Sequence, residues 1–329
     1  MVITIPASQS RNGPRPIDSS KDLPQLIGLL RTVFGKELDA EGQKIFSGLP
    51  ESRTPSMFWR LDPTLARLAP GYVWEIDGRL VGNVTLLPTR SKSRYLAANV
   101  AVHPDFRRRG IAHMLMVAAE EGVRQQYGTE ILLQVDESNE AGLGLYHSLG
   151  YDECGTMTTW RSSVSRVRDL PLEMLEGKQL SAVRKLRRHR WQEAYQLDKR
   201  ALASELRWPE PLQADFYKRG IWKRASDFLS GRFQQGWMTL DQQRNLNGLA
   251  TIYGEWGRSH QLYLRIHPLW KGQLEGALLQ KLIQEIRSLP RRSVEMIYVA
   301  NDDLVGRLLT QANFSRHRTL THMRLKINY

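Results

Sequence analysis

An α/β (α+β) fold in two consecutive copies is what this 329-residue sequence predicts, and three observations carry the prediction. Two β-rich runs, Tyr72–Ile76 and Arg79–Leu87, flank Asp77-Gly78, the dipeptide favoured by two-residue hairpin turns. A third run, Tyr95–Val102, leads through a glycine-containing turn into an amphipathic helix over 111–127 and a buried strand over 131–135. That order is a βαβ unit with parallel strands and a right-handed crossover. The same order returns 163 or 164 residues later, Pro104 matching Pro268 and Tyr151 matching Phe314, which points to a duplicated domain.

Residues 1–14 are polar, contain Gly13-Pro14 and read as a flexible arm. Arg15-Pro16-Ile17 opens a strand. Asp18 to Asp22 then offer N-cap residues, Pro24 sits in a first turn, and Leu26, Ile27, Leu30 and Phe34 follow at helical spacing. Residues 35–70, with short pieces around Lys44-Ile45-Phe46 and Met57-Phe58-Trp59, read as substrate-side helices and loops. The helix over 111–127 presents Ile111, Leu115, Met116, Ala119 and Val123 on one face and ends at Gly128. A shorter helix spans Asn139–Leu149, ends at Gly150, and is followed by strand-like alternation. The first domain is placed at 15–165, a charged, proline-containing linker at 166–180, and the second domain at 181–329. In the second half, Val183–Arg188 reads as a strand and Trp191–Leu206 as a helix. Trp237–Asp241 and Gly248–Tyr253 form a β pair, Gln261–Ile266 a strand, with a helix to Leu289, a strand over Glu295–Val299 and a helix over Asn301–Ala312.

Composition bounds the chemistry. Hydrophobic residues make up 41% and charged residues 25%, so disordered and fibrous classes are excluded. No apolar run reaches membrane-spanning length and the start lacks a signal-peptide pattern, so the expectation is a cytoplasmic protein without membrane partners. With the single cysteine, Cys154, there is no thiol pair for a disulfide or a zinc site, and no metal is expected. The net charge of +13 is unevenly spread. Residues 1–175 carry 20 basic and 20 acidic groups, whereas residues 176–329 carry 27 and 14. A surplus of that kind suits solubility or an anionic partner, nucleic acid among them. The run Arg184-Lys-Leu-Arg-Arg-His-Arg190 is its densest part, and it is either a solvated strand edge and helix start or a nucleic-acid footprint.

Val100-Ala-Val-His-Pro-Asp-Phe-Arg-Arg-Arg-Gly-Ile-Ala112 places a turn between a strand and a helix N-terminus, where free backbone N–H groups and the positive helix end suit a pyrophosphate. Gly110 lets the backbone approach, Ala112 keeps the first turn free of bulk, and Arg107, Arg108 and Arg109 add charge or face water. This segment resembles the GNAT superfamily of acyl-CoA-dependent N-acetyltransferases, whose signature is Arg/Gln-x-x-Gly-x-Gly/Ala. Downstream, Asn139, Ala141, Leu145, Tyr146, Leu149, Gly150 and Tyr151 are similar to that family's second motif. The resemblance covers about residues 15–160 and extends weakly over the second half.

The resemblance implies a mixed, mostly antiparallel sheet in each of two GNAT-like domains, flanked by helices, with a splayed parallel central strand pair. It implies acetyl-CoA as co-substrate, its pantetheine arm along Val100, Ala101 and Val102, and its pyrophosphate on Arg108, Arg109, Gly110, Ile111, Ala112 and His113 with help from Arg107. Asn139 would touch the pantetheine, and Tyr146 would protonate the departing thiolate with a phenol of pKa near ~10. The general base is sought among Asp136, Glu137, Glu140, His103 and Glu75, with Asp136 or Glu137 preferred. Taken singly, Asn139 could be only a helix cap and Tyr146 only core. Trp59, Phe58 and Trp74, with Trp222, Tyr253 and Trp256 from the second half, either line an acceptor cleft or pack in the core.

In the second half Lys271 stands for Arg107, Leu274 for Gly110 and Gly276 for Ala112, Glu275 enters the turn, and Leu308 or Leu309 replaces the tyrosine. That half is expected to have lost acetyl transfer. The functional expectation is acetyl transfer to a small-molecule or peptide amine by a monomer or homodimer. The alternative is a non-catalytic acyl-CoA sensor whose basic second domain binds nucleic acid or an acidic partner.

Overall fold

The computed structural model describes residues 12–35, 71–175, 183–207 and 229–329 apart from positions 19, 90 and 92, together with 212, 214–218 and 227. Expectations for 36–70, including Phe58 and Trp59, and for Trp222 lie outside the described residues. The chain forms two compact units: residues 1–134, 139–152 and 323–329 make the first, 135–138 and 153–322 the second.

In the first unit, strands β1 (Gly13–Pro16), β2 (Gly71–Ile76), β3 (Arg79–Pro88), β4 (Arg94–Val102) and β5 (Glu130–Asp136) lie side by side in that order. Pairing is antiparallel up to β4, and β4 and β5 are parallel. Asp77 and Gly78 take φ of 48° and 79°, the left-handed pair that a type I′ turn needs. Gly13 and Pro14, expected in the arm, belong to β1 because they pair with Glu75 and Trp74.

Helix α1 (Leu23–Phe34) packs Leu26 and Leu30 on Ala101 of β4. Helix α2 (Ile111–Gln125) lies on the other face, where a Cβ on Gly82 would meet Ile111 and Leu115 at 2.9 Å. β3 is therefore covered on both sides, which explains its nearly unbroken apolar run. Helix α3 (Glu140–Ser148) is capped by Asn139, whose Oδ1 accepts the Gly142 N–H at 2.9 Å.

The second unit repeats the plan with β7 (Arg184–Lys185), β8 (Arg232–Leu240), β9 (Leu246–Glu255), β10 (His260–Ile266) and β11 (Ser293–Val299), and with α4 (Trp191–Ala201), α5 (Glu275–Ile286) and α6 (Asp303–Gln311). Its core joins Leu262 and Leu264 of β10 to Leu278, Leu282 and Ile283 of α5 and Met296 of β11. α4 stops five residues short of the expected Leu206, because the Arg207 guanidinium takes the carbonyls of Asp198, at 2.6 Å, and of Leu202.

The units do not coincide with contiguous halves of the sequence. β6 (Asp152–Ser163), expected to close the first domain, pairs antiparallel with β11 from Met157↔Val299 to Ser163↔Ser293. Conversely, the end of β12 (Ser315–Lys326) and the residues after it belong to the first unit, where Ile327 N–H donates to Thr129 O at 2.9 Å and Tyr329 O–H to Gly128 O at 2.9 Å. A duplicated sheet offers two equivalent open edges, beside β5 and beside β11, and side-chain pattern alone does not say which strand fills which. The first part of the expected linker is also packed: Val167, Leu170 and Leu175 are buried in the second core, and Leu170 N–H donates to Gln280 Oε1 at 2.9 Å.

Candidate active site

The first unit's parallel pair diverges. β4 and β5 are in register only at Arg94↔Glu130, Tyr95↔Ile131 and Leu96↔Leu132, and beyond Leu96 the strand pairs with β3 alone. The backbone of Val100, Ala101 and Val102 is thus released on the β5 side. β4 then runs through a short 3-10 turn, Pro104–Phe106, into the start of α2.

That start is built to meet an anion. Arg108 and Gly110 have φ of 60° and 72°, so the turn curls and its N–H groups converge. Among the described residues, no acceptor takes the N–H groups of Arg108 to His113, and the first bond of the helix runs from Met114 N–H to Gly110 O at 3.0 Å. A Cβ on Gly110 would meet nothing within 4 Å, so the space in front of the turn is open. Of the three arginines, Arg107 Nε donates to Val102 O at 3.2 Å, and Arg109 donates to Asp105 O at 3.2 Å while lying over Phe106. Arg108 makes neither bond nor ion pair among the described residues. Ile111 is buried against the sheet, Ala112 is half-buried and His113 is exposed. These residues fit a pyrophosphate.

The equivalent turn of the second unit is filled by its own side chain. Gly272, the counterpart of Arg108, has φ of 84°, and its N–H donates to Glu275 Oε1 at 2.8 Å; Leu274 N–H, the counterpart of Gly110, donates to Glu275 Oε2 at 3.1 Å. Glu275 stands where Ile111 does and is 1% exposed. A carboxylate thus holds the two N–H groups that face open space in the first unit. Glu275→Ala should orphan both donors and lower the unfolding free energy by about 1–3 kcal/mol, whereas Glu275→Gln, which keeps one acceptor, should cost less. Urea titration of both variants checks the order.

Tyr146 lies on α3 with its ring buried beside that of Tyr151, centroids 5.8 Å apart. Its hydroxyl makes no hydrogen bond among the described residues. Burial pushes its pKa up to about 12, which corrects the sequence expectation of an ordinary phenol. Asn139 uses Oδ1 for the cap and leaves its amide NH₂ available.

The carboxylate and imidazole candidates for the base are mostly engaged. Asp136 Oδ1 accepts from Ser138 N–H at 3.0 Å and Oγ–H at 2.7 Å, and Oδ2 is 3.6 Å from Arg318. Glu75 is tied to Arg15 at 2.6 Å, and both His103 ring nitrogens have neighbours, Asp105 N–H at 3.3 Å and Arg79 at 3.0 Å. Glu137 and Glu140 are exposed, and no hydrogen bond or ion pair holds either carboxylate among the described residues. Asp136 and Glu137 fall in the second compact unit, Tyr146 in the first. Trp74 is half-buried on β2, Tyr253 half-buried on β9 and Trp256 exposed.

Sequence reasoning missed a buried polar cluster on β3 and β4. Asn99, at φ 54°, makes a bulge that shifts the β3–β4 register between Asn83 and Thr85; β10 pairs with β9 without such a shift. Asn83 Nδ2 donates to Asn99 O at 2.8 Å and to Thr85 Oγ1 at 3.3 Å. The Oδ1 atoms of Asn83 and Asn99 are buried and accept no hydrogen bond among the described residues. The available signal was Asn99 itself, an amide inside the apolar run Tyr95–Val102.

With this geometry in place, comparison with known proteins shows what the chain is similar to. Residues 39–151 match the acetyltransferase (GNAT) family model. An acetyltransferase of Pectobacterium atrosepticum is 35% identical over 97 residues, which are 30% of this chain and 64% of that protein, so the match spans less than two thirds of the relative. Two solved structures are similar in fold over nearly the whole chain. A tandem GNAT protein from the clavulanic acid biosynthesis pathway has a TM-score of 0.51 at 16% identity, covering 96% of this chain and 98% of that one. A GCN5-related N-acetyltransferase from Sphaerobacter thermophilus has a TM-score of 0.60 at 15% identity, covering 96% of each. At those identities they show the fold: a mixed, mostly antiparallel sheet with helices. No helix among the described residues is long and apolar enough to cross a membrane.

Proposed function

We propose that this protein transfers the acetyl group of acetyl-CoA to a primary amine, with the chemistry in the first unit. The observation that carries the reading is the contrast between the two helix-start turns, open with free N–H groups at Gly110 and filled by Glu275 at its counterpart. One cofactor site per chain follows, held by Arg107 to His113 at the pyrophosphate and by the released backbone of Val100 to Val102 along the pantetheine. Asn139 supports the arm through the NH₂ that its cap leaves over.

Acetyl-CoA supplies the thioester. The neutral amine nitrogen attacks its carbonyl carbon, the N–C bond forms, the C–S bond breaks, and the amine's proton leaves to a base. The Oδ1 atoms of Asn83 and Asn99 are acceptors without donors, suited to N–H groups of the incoming amine or its water. A phenol at about 12 is a weaker acid than an ordinary thiol of pKa ~8.5 by roughly 3.5 units, or ~5 kcal/mol. Tyr146 therefore stabilises developing negative charge on sulfur by donating a hydrogen bond, and the thiolate takes its proton only late.

Calorimetry of acetyl-CoA tests the stoichiometry, and a screen of primary amines scored by thiol release tests the reaction. With an amine that turns over, Tyr146→Phe should lower kcat by roughly 10²-fold with KM for acetyl-CoA nearly unchanged. The phenolate absorbance difference between wild type and Tyr146→Phe should stay flat through pH ~10, where an ordinary tyrosine is half ionised. A difference that rises by pH 10 contradicts the burial argument, and equal losses in binding and turnover contradict the role at sulfur.

A further inference from the structure

The second unit, set apart from acetyl transfer above, holds a cavity of about 370 Å³ between β7, the start of α4 and the β8–β9 pair. That volume lies in the range of small-molecule sites. Its walls are of two chemical kinds. Lys185, Arg187 and Arg188 bring three cations, and Trp191, Tyr217 and Phe233 bring three rings.

The cations are not spent on the fold. Arg190, from the same basic run, is tied to Glu193 at 2.9 Å and to Arg244 O at 3.0 Å. Lys185, Arg187 and Arg188 have neither an ion pair nor a side-chain hydrogen bond among the described residues, and no acidic residue is among those that line the cavity. Three unneutralised cations at one small opening favour a ligand of charge near −2, and guanidinium pairs suit a phosphate. The rings are firmly placed: Tyr217 is fixed by its O–H bond to Asp198 Oδ2 at 2.6 Å, Trp191 packs on the core around Ala194 and Leu197, and Phe233 lies 5.9 Å from the His260 ring. Aromatic walls beside cations suit a planar, electron-rich group.

We propose that this cavity is a binding site for a mononucleotide-class ligand, a planar base carrying a phosphate monoester. A cavity of about 370 Å³, rather than a long basic stripe, favours a single nucleotide over a polynucleotide chain. The surplus positive charge of residues 176–329 then serves capture of a small anion by steering it to the opening.

The test uses the full chain and the four ribonucleoside 5′-monophosphates in turn, by calorimetry. The expected result is one site per chain for at least one of them, at least tenfold weaker binding of the matching nucleoside and of inorganic phosphate, and the same affinity in a Gly110→Glu background. Arg187→Glu/Arg188→Glu and, separately, Trp191→Leu should each weaken it at least tenfold with circular dichroism unchanged. If a charge-reversed variant does not fold, Arg187→Gln/Arg188→Gln replaces it. No saturable binding of any monophosphate at millimolar concentration overturns the proposal. So does binding that survives both sets of variants, or that disappears with Gly110→Glu, which would place it at the acetyl-CoA turn. Salt-dependent binding of a mixed single-stranded DNA without monophosphate binding assigns the basic face to nucleic acid and overturns it as well.

Discussion

Gly110→Glu abolishes acetyl-CoA binding and leaves the protein folded: that is the expected result for the turn at the head of α2. Two costs act together. Gly110 sits at φ 72°, where any L-residue is strained by roughly 1 kcal/mol. The larger effect is electrostatic, because a carboxylate placed at the converging N–H groups of Arg108 to His113 competes with a pyrophosphate for the same donors and repels it. The protein already contains this experiment. In the second unit a glutamate one position further on accepts from Gly272 and Leu274; Gly272, the counterpart of Arg108, is left-handed at φ 84°, while Leu274, the counterpart of Gly110, is right-handed at φ −112°. Since such a carboxylate satisfies backbone donors, the melting temperature of Gly110→Glu should change by only a few degrees while the calorimetric signal vanishes. Loss of folding along with binding would mean that the strain dominates. Undiminished binding would remove the turn from the cofactor site, and the proposed assignment of chemistry to the first unit with it.

The parts of the fold that follow from local chemistry were legible in the residues. Asp77-Gly78 has one comfortable hairpin geometry, and Asn139 caps α3 because its side chain reaches Gly142 N–H. The 164-residue offset also predicted that Glu275 intrudes where Ile111 stands. Strand exchange was not legible. Nothing in the alternation of β6 says that its partner is β11 rather than β5, since both edges want the same apolar pattern. The partners of Asp136 were not legible for a related reason: a carboxylate at a strand end near a motif looks free in sequence, while Ser138 two residues on forms a local turn with it. Tyr146 was placed correctly on its helix, but its acidity depends on its burial, which helical spacing alone does not give. The unpaired carbonyls of Asn83 and Asn99 depend on a bulge, which one polar residue in an apolar run suggests only weakly.

Asp198→Ala should be the most destabilising single change in the second unit. Asp198 lies on α4 and is 4% exposed. Its Oδ1 accepts from Arg265 Nε at 2.7 Å and its Oδ2 from Tyr217 O–H at 2.6 Å. Burial on its own would favour loss of the Arg265 proton, and the Asp198 carboxylate reverses that, holding the guanidinium charged. Burial pushes the Tyr217 phenol well above its ordinary value, and Asp198 adds to the shift, so it stays a donor at every physiological pH. Removing the carboxylate leaves a buried cation and a buried hydroxyl without an acceptor, a loss of about 3–5 kcal/mol by the usual measure of broken interior pairs. The same physics predicts that the pair is not intrinsically stabilising. Replacing Asp198 with Leu and Arg265 with Met together should recover the part of the loss that the stranded guanidinium causes, while Tyr217 O–H still lacks the acceptor it has in the wild type. Urea unfolding of the two single variants and the double variant, read as a cycle, measures the coupling directly. A loss below about 1 kcal/mol for Asp198→Ala would mean that water reaches Arg265 and solvates it. A double variant as unstable as the singles would make packing of the long arginine stem, rather than its charge, the source of the cost.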